Sequence, residues 1–159
     1  MAVSRAMAYE AILAAPFGAL GIRTEGGALS GIDFLPREAG ASAPRTAAAE
    51  QVCRQLERYF SDPVYSFDLV LRLRATPFRT AVWARLRTIP PGSPVSYGAL
   101  ARELGSSARA VGQACGDNPI PIVVPCHRVV ARDGLGGFMH AADTGPLSIK
   151  RWLLAHEAC

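Results

Sequence analysis

The first part of the chain alternates short apolar runs with turn-forming residues. Tyr9–Ala14, Ala19–Thr24 and Ala28–Phe34 are apolar-rich, and Pro16-Phe17-Gly18 and Gly26-Gly27 separate them. Short runs punctuated in this way predict an antiparallel meander. Residues 36–44 are small or proline and read as a loop. From Thr46 to Phe60 the period becomes helical: Val52, Leu56, Tyr59 and Phe60 share a stripe that Arg54, Glu57 and Arg58 avoid. Ser61-Asp62-Pro63 ends that helix. Phe67–Leu73 alternates in part and reads as a strand or an extended linker.

From residue 74 onward the pattern is mostly helical. Thr76 suits a helix N-cap with Pro77 at the first helical position, and Phe78, Val82, Leu86 and Ile89 recur at helical spacing until Pro90-Pro91-Gly92. Ser96 can cap a helix over 97–104, stopped by Gly105; Ser106-Ser107 can cap a second over 108–115, ended by Gly116-Asp117-Asn118-Pro119. Short helices joined by a glycine-containing turn read as helix-turn-helix. The second of them has little bulk at Ala108, Ala110 and Gly112. Such a helix can approach a partner's backbone closely or pack tightly on another helix, and the pattern alone leaves both open. Pro119 and Pro121 then predict an extended path into Ile122-Val123-Val124-Pro125. A last amphipathic helix is expected from Ser148 to about Ala158, with Ile149, Trp152 and Leu153 inward.

At 159 residues, half of them apolar and 19% charged, the chain is a folded globular protein with one core or two small domains. The net charge of +4 is unevenly spread: residues 1–73 hold 7 Lys+Arg against 8 Asp+Glu, and residues 74–159 hold 10 against 5. Nearly all the basic residues are arginine, whose planar fork matches phosphate; a solvated basic face is the plainer alternative. The cysteines Cys53, Cys115, Cys126 and Cys159 form no CxxC pair. That spacing suits neither a disulfide framework nor a zinc site, and scattered thiols suit a reducing cytoplasm. The apolar run 11–22 holds Pro16, Gly18 and Gly21 and is no membrane segment.

Cys126 is followed by His127 and Arg128. Cysteine attacks only as thiolate, and a neighbouring base or cation must favour that form. In an extended chain adjacent side chains point to opposite faces, so His127 would act through a bridging water or after a local turn. The plain alternative is a buried structural cysteine.

The string Asn118-Pro119 through Pro125-Cys126-His127-Arg128-Val129-Val130 closely resembles the active-site signature of the O6-alkylguanine-DNA alkyltransferases, also called methylated-DNA–protein-cysteine methyltransferases. Thr76–Trp83, Ile89–Gly92, Ser96–Ala101, Arg109–Gly112 and Arg151–Glu157 extend the resemblance over 74–159. It implies an α+β fold: a small N-terminal α/β roll, ribonuclease H-like, over 1–73, then a mostly helical winged helix-turn-helix domain over 74–159 carrying the active-site cysteine.

The resemblance also implies roles. Cys126 takes the alkyl group from guanine O6, His127 acts as base through a water, Glu157 orients His127, and Tyr97 donates to the guanine ring. Arg109 enters the base stack when the nucleotide is extruded, on a DNA-reading surface that includes Ser96, Ala108, Ala110, Gly112 and Arg128. Asn118 ties the recognition helix to the active-site loop, the Val129 carbonyl accepts from the guanine amine, and Phe138 and Met139 wall the pocket. The implied partner is double-stranded DNA containing O6-alkylguanine, met in the minor groove. The implied protein is a cytoplasmic monomer, clustering along DNA being an open alternative, with no cofactor, metal or membrane. Each molecule reacts once, because a thioether is a poor leaving group.

The chain departs from the family's usual Gly-Tyr after the nucleophile, having Gly137-Phe138-Met139-His140. Residues 1–73 hold one cysteine, Cys53, and no histidine, so the structural zinc of some relatives is not expected. A non-enzymatic protein that binds alkylated DNA is the principal alternative function; such relatives lack the nucleophilic cysteine. A Cys-His hydrolase and a plain winged-helix DNA binder are further alternatives.

Overall fold

A computed structural model describes residues 8–140 and 144–158; Cys159 lies outside them. The chain divides into two compact units, 1–73 and 74–159.

In the first unit β1 (Ala11–Ala15), β2 (Gly18–Glu25) and β3 (Ala28–Leu35) form an antiparallel sheet in that order. Helix α1 (Ala47–Ser61) packs on the sheet. The Thr46 side chain caps it by accepting from the Ala49 amide at 3.1 Å. Val52, Leu56 and Tyr59 form its buried stripe, and Leu20, Ile22 and Ile32 of the sheet on which it packs are buried too. Tyr9, Ile12, Ala19 and Leu35 cluster separately. Each large apolar side chain so buried contributes about 1.5–3 kcal/mol.

The expected loop at 36–44 contains a 3-10 turn at Arg37–Ala39, and Ser42 exchanges backbone hydrogen bonds with Ile12 at 3.0 and 2.9 Å. Residues 67–73 alternate between half-buried and exposed, as a strand would. They pair with β3 at a single parallel bridge, Leu29 to Leu71, so the segment is extended without being a full strand.

In the second unit α2 (Pro77–Leu86) is followed by β4 (Val95–Ser96), α3 (Tyr97–Leu104) and α4 (Ala108–Gly116). The Ser96 and Ser107 hydroxyls cap α3 and α4, accepting from Ala99 and Ala110 amides at 3.0 and 3.1 Å. Gly105, at φ 63°, ends α3 in the left-handed conformation that residues with a Cβ disfavour. The Trp83 indole donates to the Ala114 carbonyl at 2.8 Å and locks α2 to α4. β4 pairs in parallel with β5 (Val129–Val130), which brings the start of α3 beside the chain that follows Cys126.

Helix α5 (Thr144–Glu157) starts earlier than the expected Ser148. Pro146 falls in its first turn, where a missing amide hydrogen leaves no helical bond unmade. Its inner face also differs from the expected one. Lys150, Leu153 and Glu157 are the buried residues, while Ile149 and Trp152 are only partly covered. Charged residues occupy the inside because each finds buried partners there. Among the described residues no helix is long and apolar enough to cross a membrane.

Candidate active site

The prolines around residues 119–125 deliver the chain to a 3-10 turn over Cys126–Arg128. The turn is closed by the Arg128 amide donating to the Pro125 carbonyl at 3.0 Å. This is the local turn that an extended reading left open. It sends consecutive side chains in different directions: Cys126 toward a cavity, His127 and Arg128 into the protein.

His127 is fully buried, with Nε2 2.8 Å from Glu157 Oε2. Arg128 also turns to Glu157: Nε and Nη2 donate to its two carboxylate oxygens at 2.9 and 2.8 Å, and Nη1 donates to the Ile89 carbonyl at 2.6 Å. Arg128 was expected at the DNA surface; instead it is buried with its guanidinium engaged inside. The reason is electrostatic, since a carboxylate as deep as Glu157 needs a full positive charge beside it.

The Arg128 fork keeps Glu157 ionised and therefore acceptor-only. His127 must then donate from Nε2. Burial lowers the His127 pKa against the opposing pull of Glu157 and favours a neutral ring. The neutral ring so arranged carries its lone pair on Nδ1. That atom is buried and has no hydrogen-bond partner among the described residues. A base oriented by a carboxylate is the result, in a cluster whose charges cancel.

Asn118 is buried and ties the end of α4 to the nucleophile's loop: its Nδ2 donates to the Val124 carbonyl at 2.8 Å, and its Oδ1 accepts from the Ile120 amide at 2.9 Å. The Cys126 thiol itself is pushed up from an ordinary 9.0 to about 11 by burial, with the Asn118 hydrogen bond and the Lys150 charge pulling the other way. At neutral pH it rests as a thiol.

The cavity beyond Cys126 has a volume of about 430 Å³. Among the residues expected at the site, Tyr97, Ala108, Arg109, Gly112, Phe138 and Met139 line it with Cys126. Cys115, Gln113, Gly116, Gly137 and His140 also line it. Ser96 serves as a helix cap, and Ala110 and Val129 are not in the lining. Tyr97 donates to the Gly137 carbonyl at 3.3 Å, and burial raises its pKa, so it stays a phenol. Gly136 makes room for it: φ is 71°, and a Cβ there would sit 2.8 Å from the Tyr97 ring.

Lys150 escaped the sequence reading. Its side chain is fully buried, and Nζ donates to the carbonyls of Val129, Leu135 and Gly137 at 2.8, 2.6 and 2.8 Å. It lies 3.5 Å from the Tyr97 hydroxyl, which accepts from it. The Val129 carbonyl, expected to receive the guanine amine, therefore already receives a lysine. The available signal was spacing: Lys150, Leu153 and Glu157 lie three and seven residues apart, on one helical face.

Residues 77–159 match the family model described as "6-O-methylguanine DNA methyltransferase, DNA binding domain". A methylated-DNA–protein-cysteine methyltransferase of Shigella flexneri is 47% identical over 107 residues, which is 65% of this chain and 60% of the relative's length. The protein of that name from Mycobacterium tuberculosis is 39% identical over 149 residues, 89% of this chain and 87% of its own. The crystal structure of Mycobacterium tuberculosis OGT in complex with DNA covers 92% of this chain and 91% of that one, with a TM-score of 0.77 and 36% identity. With a cysteine followed in sequence by a carboxylate-oriented histidine, and with relatives matched along its length, the chain belongs to the methylated-DNA–protein-cysteine methyltransferase family.

Proposed function

We propose that the protein repairs DNA directly, by transferring an alkyl group from O6 of guanine to the sulfur of Cys126. The observation that carries this reading is the arrangement Cys126–His127–Glu157: a thiol at a cavity wall with a carboxylate-oriented base next to it in the chain. His127 Nδ1 takes the thiol proton through a bridging water. The sulfur attacks the alkyl carbon, the C–O6 bond breaks, and the guanine leaves neutral after receiving a proton from Tyr97, while the proton held by His127 returns through water to restore the phenol. The resting thiol fits this order, because its proton departs only when an electrophile is in place. Carbon–sulfur bond formation is irreversible here, so one molecule repairs one lesion.

Guanine O6 is inaccessible inside a duplex, so the base must be extruded. The proposed reading face is α4, with Ala108, Ala110 and Gly112 close to the minor groove and Arg109 filling the vacated stack. The DNA-bound Mycobacterium structure supports DNA as the partner. On this reading residues 74–159 are a winged helix-turn-helix domain, residues 1–73 a ribonuclease H-like roll, and the protein a cytoplasmic monomer. The presence of Cys126 favours transfer over a non-enzymatic lesion reader.

Intact-mass measurement after incubation with an O6-methylguanine duplex tests the proposal. The expected result is one methyl group replacing one proton, lost in Cys126→Ser. Binding without a mass change overturns it in favour of a reader.

A further inference from the structure

We propose that Cys115 is a second working thiol of the cavity, which captures Cys126 as a disulfide when a peroxide oxidises it; the consequence for repair rests on the transfer reaction above. The first observation is placement. Cys115 stands in the last turn of α4, Cys126 opens the nucleophile turn, and both line the same cavity. Both are buried free thiols. Alkyl transfer gives Cys115 no task.

The second observation is the residue that touches both. The Asn118 amide donates to the Cys115 carbonyl at 3.3 Å, and the Asn118 side chain bonds the Cys126 thiol. One buried residue thus holds both cysteines to the same corner of the cavity. The electrostatics agree. A charge on Cys126 opposes ionisation of Cys115, and a charge on either sulfur tightens the Lys150 proton. Groups that feel one another in this way, and share one cation, are near neighbours.

The cavity is bordered by exposed Arg109 and Gln113, and hydrogen peroxide is small enough to enter it. There the Cys126 sulfur attacks one peroxide oxygen and the O–O bond breaks. Cys126 becomes a sulfenic acid, and the thiol proton leaves with the other oxygen as water. The Cys115 sulfur then attacks the Cys126 sulfur. An S–S bond forms, the S–O bond breaks, and the hydroxide departs as water with the Cys115 proton. Two thiols are oxidised to one disulfide and one peroxide is reduced to two waters. Without a second thiol, further peroxide carries a sulfenic acid to sulfinic acid, which ordinary thiols do not reduce. Cys115 therefore turns permanent loss of a single-use nucleophile into a reversible pause. Because Cys126 rests protonated, the first step is slow and needs peroxide in excess.

Non-reducing peptide mapping after hydrogen peroxide treatment tests the pairing. The expected result is a Cys115–Cys126 linked peptide that dithiothreitol separates, with methyl transfer lost on linkage and largely restored on reduction. In Cys115→Ser the map should show Cys126 carrying two added oxygens. Its recovery, relative to its own untreated rate, should be several-fold lower. Cys115→Ala serves if Cys115→Ser folds poorly. Linkage of Cys126 to any other cysteine, two-oxygen addition at Cys126 without linkage in the unaltered protein, or equal recovery with and without Cys115 overturns the inference. Absence of methyl transfer in the untreated protein overturns the proposed function instead, and the peptide map still decides the pairing.

Discussion

The Nζ of Lys150 donates to the carbonyl oxygen of Val129 at 2.8 Å. With Leu135 and Gly137 as its other carbonyl acceptors, this lysine joins α5 to β5 and to the loop that walls the cavity. Lys150→Met keeps much of the aliphatic stem and removes the donor of the Val129 and Leu135 carbonyls, while Gly137 retains Tyr97. The expected cost is about 3 kcal/mol or more, read from urea unfolding, because charge-assisted bonds are lost together in a buried place. The cavity wall should loosen as well, so transfer slows. A stability change within error of zero would show that the loop holds itself.

The Glu157 carboxylate fixes the tautomer of His127 only while it is acceptor-only. In Glu157→Gln the amide can serve Arg128 through its oxygen and offer its NH₂ to His127. The ring then accepts at Nε2 and carries its hydrogen on Nδ1, which no longer takes a proton from the thiol. Single-turnover transfer should fall about a hundredfold, the usual worth of a positioned base. Equal rates for Glu157→Gln and the unaltered protein would remove His127 from the proton path.

Arg109 and Arg128 separate the surface from the interior. Arg109 is exposed at the cavity, whereas Arg128 is committed to Glu157 and Ile89. Arg109→Ala should lower the slope of log binding constant against log salt by about 1. It should also slow repair of duplex DNA more than reaction with free O6-benzylguanine. Arg128→Lys should leave the slope alone and cost roughly 2 kcal/mol in stability, since lysine cannot replace a bidentate fork. A reduced salt slope in Arg128→Lys would return that residue to the DNA surface.

The contrast between these arginines marks what the sequence makes legible. Caps and breakers act locally, so Thr76, Ser96, Ser107 and Gly105 could be read in place, and the helices they bound follow. The stripe of α1 was equally plain. Burial of charge is not local: Arg128 and Lys150 go inside because Glu157 and three carbonyls, one in β5 and two in the loop after it, wait there. An amphipathic reading assigns such residues outward by default, as happened on α5. The register of Phe67–Leu73 likewise depends on one contact with Leu29. The Cys126–Arg128 turn was undecidable because a 3-10 turn of this kind is set by the flanking prolines and by its tertiary anchors together.

Burial of thiols predicts an alkaline limit to stability. Cys53 and Cys126 are pushed up from 9.0 to about 11, and Cys115 to about 12, in each case chiefly by burial. Below pH 9 these groups hold their protons in both states, so their preference for the fold is intact. Above it the unfolded chain ionises first and the fold binds more protons, so stability falls as pH climbs through 9 toward 11. Lys150 acts in the opposite sense. Burial lowers it from 10.5 to about 8, the fold releases its proton first, and stability rises with pH across that window. Several thiols outweigh one lysine, since each tenfold change in a group's proton affinity on folding is worth about 1.4 kcal/mol. The urea midpoint should therefore decline between pH 9 and 11. Cys115→Ala, lacking the group raised furthest, should shallow the decline, and Lys150→Met should steepen it. A midpoint that rises over this range, or the same slope in both variants, would refute burial of these groups as its origin.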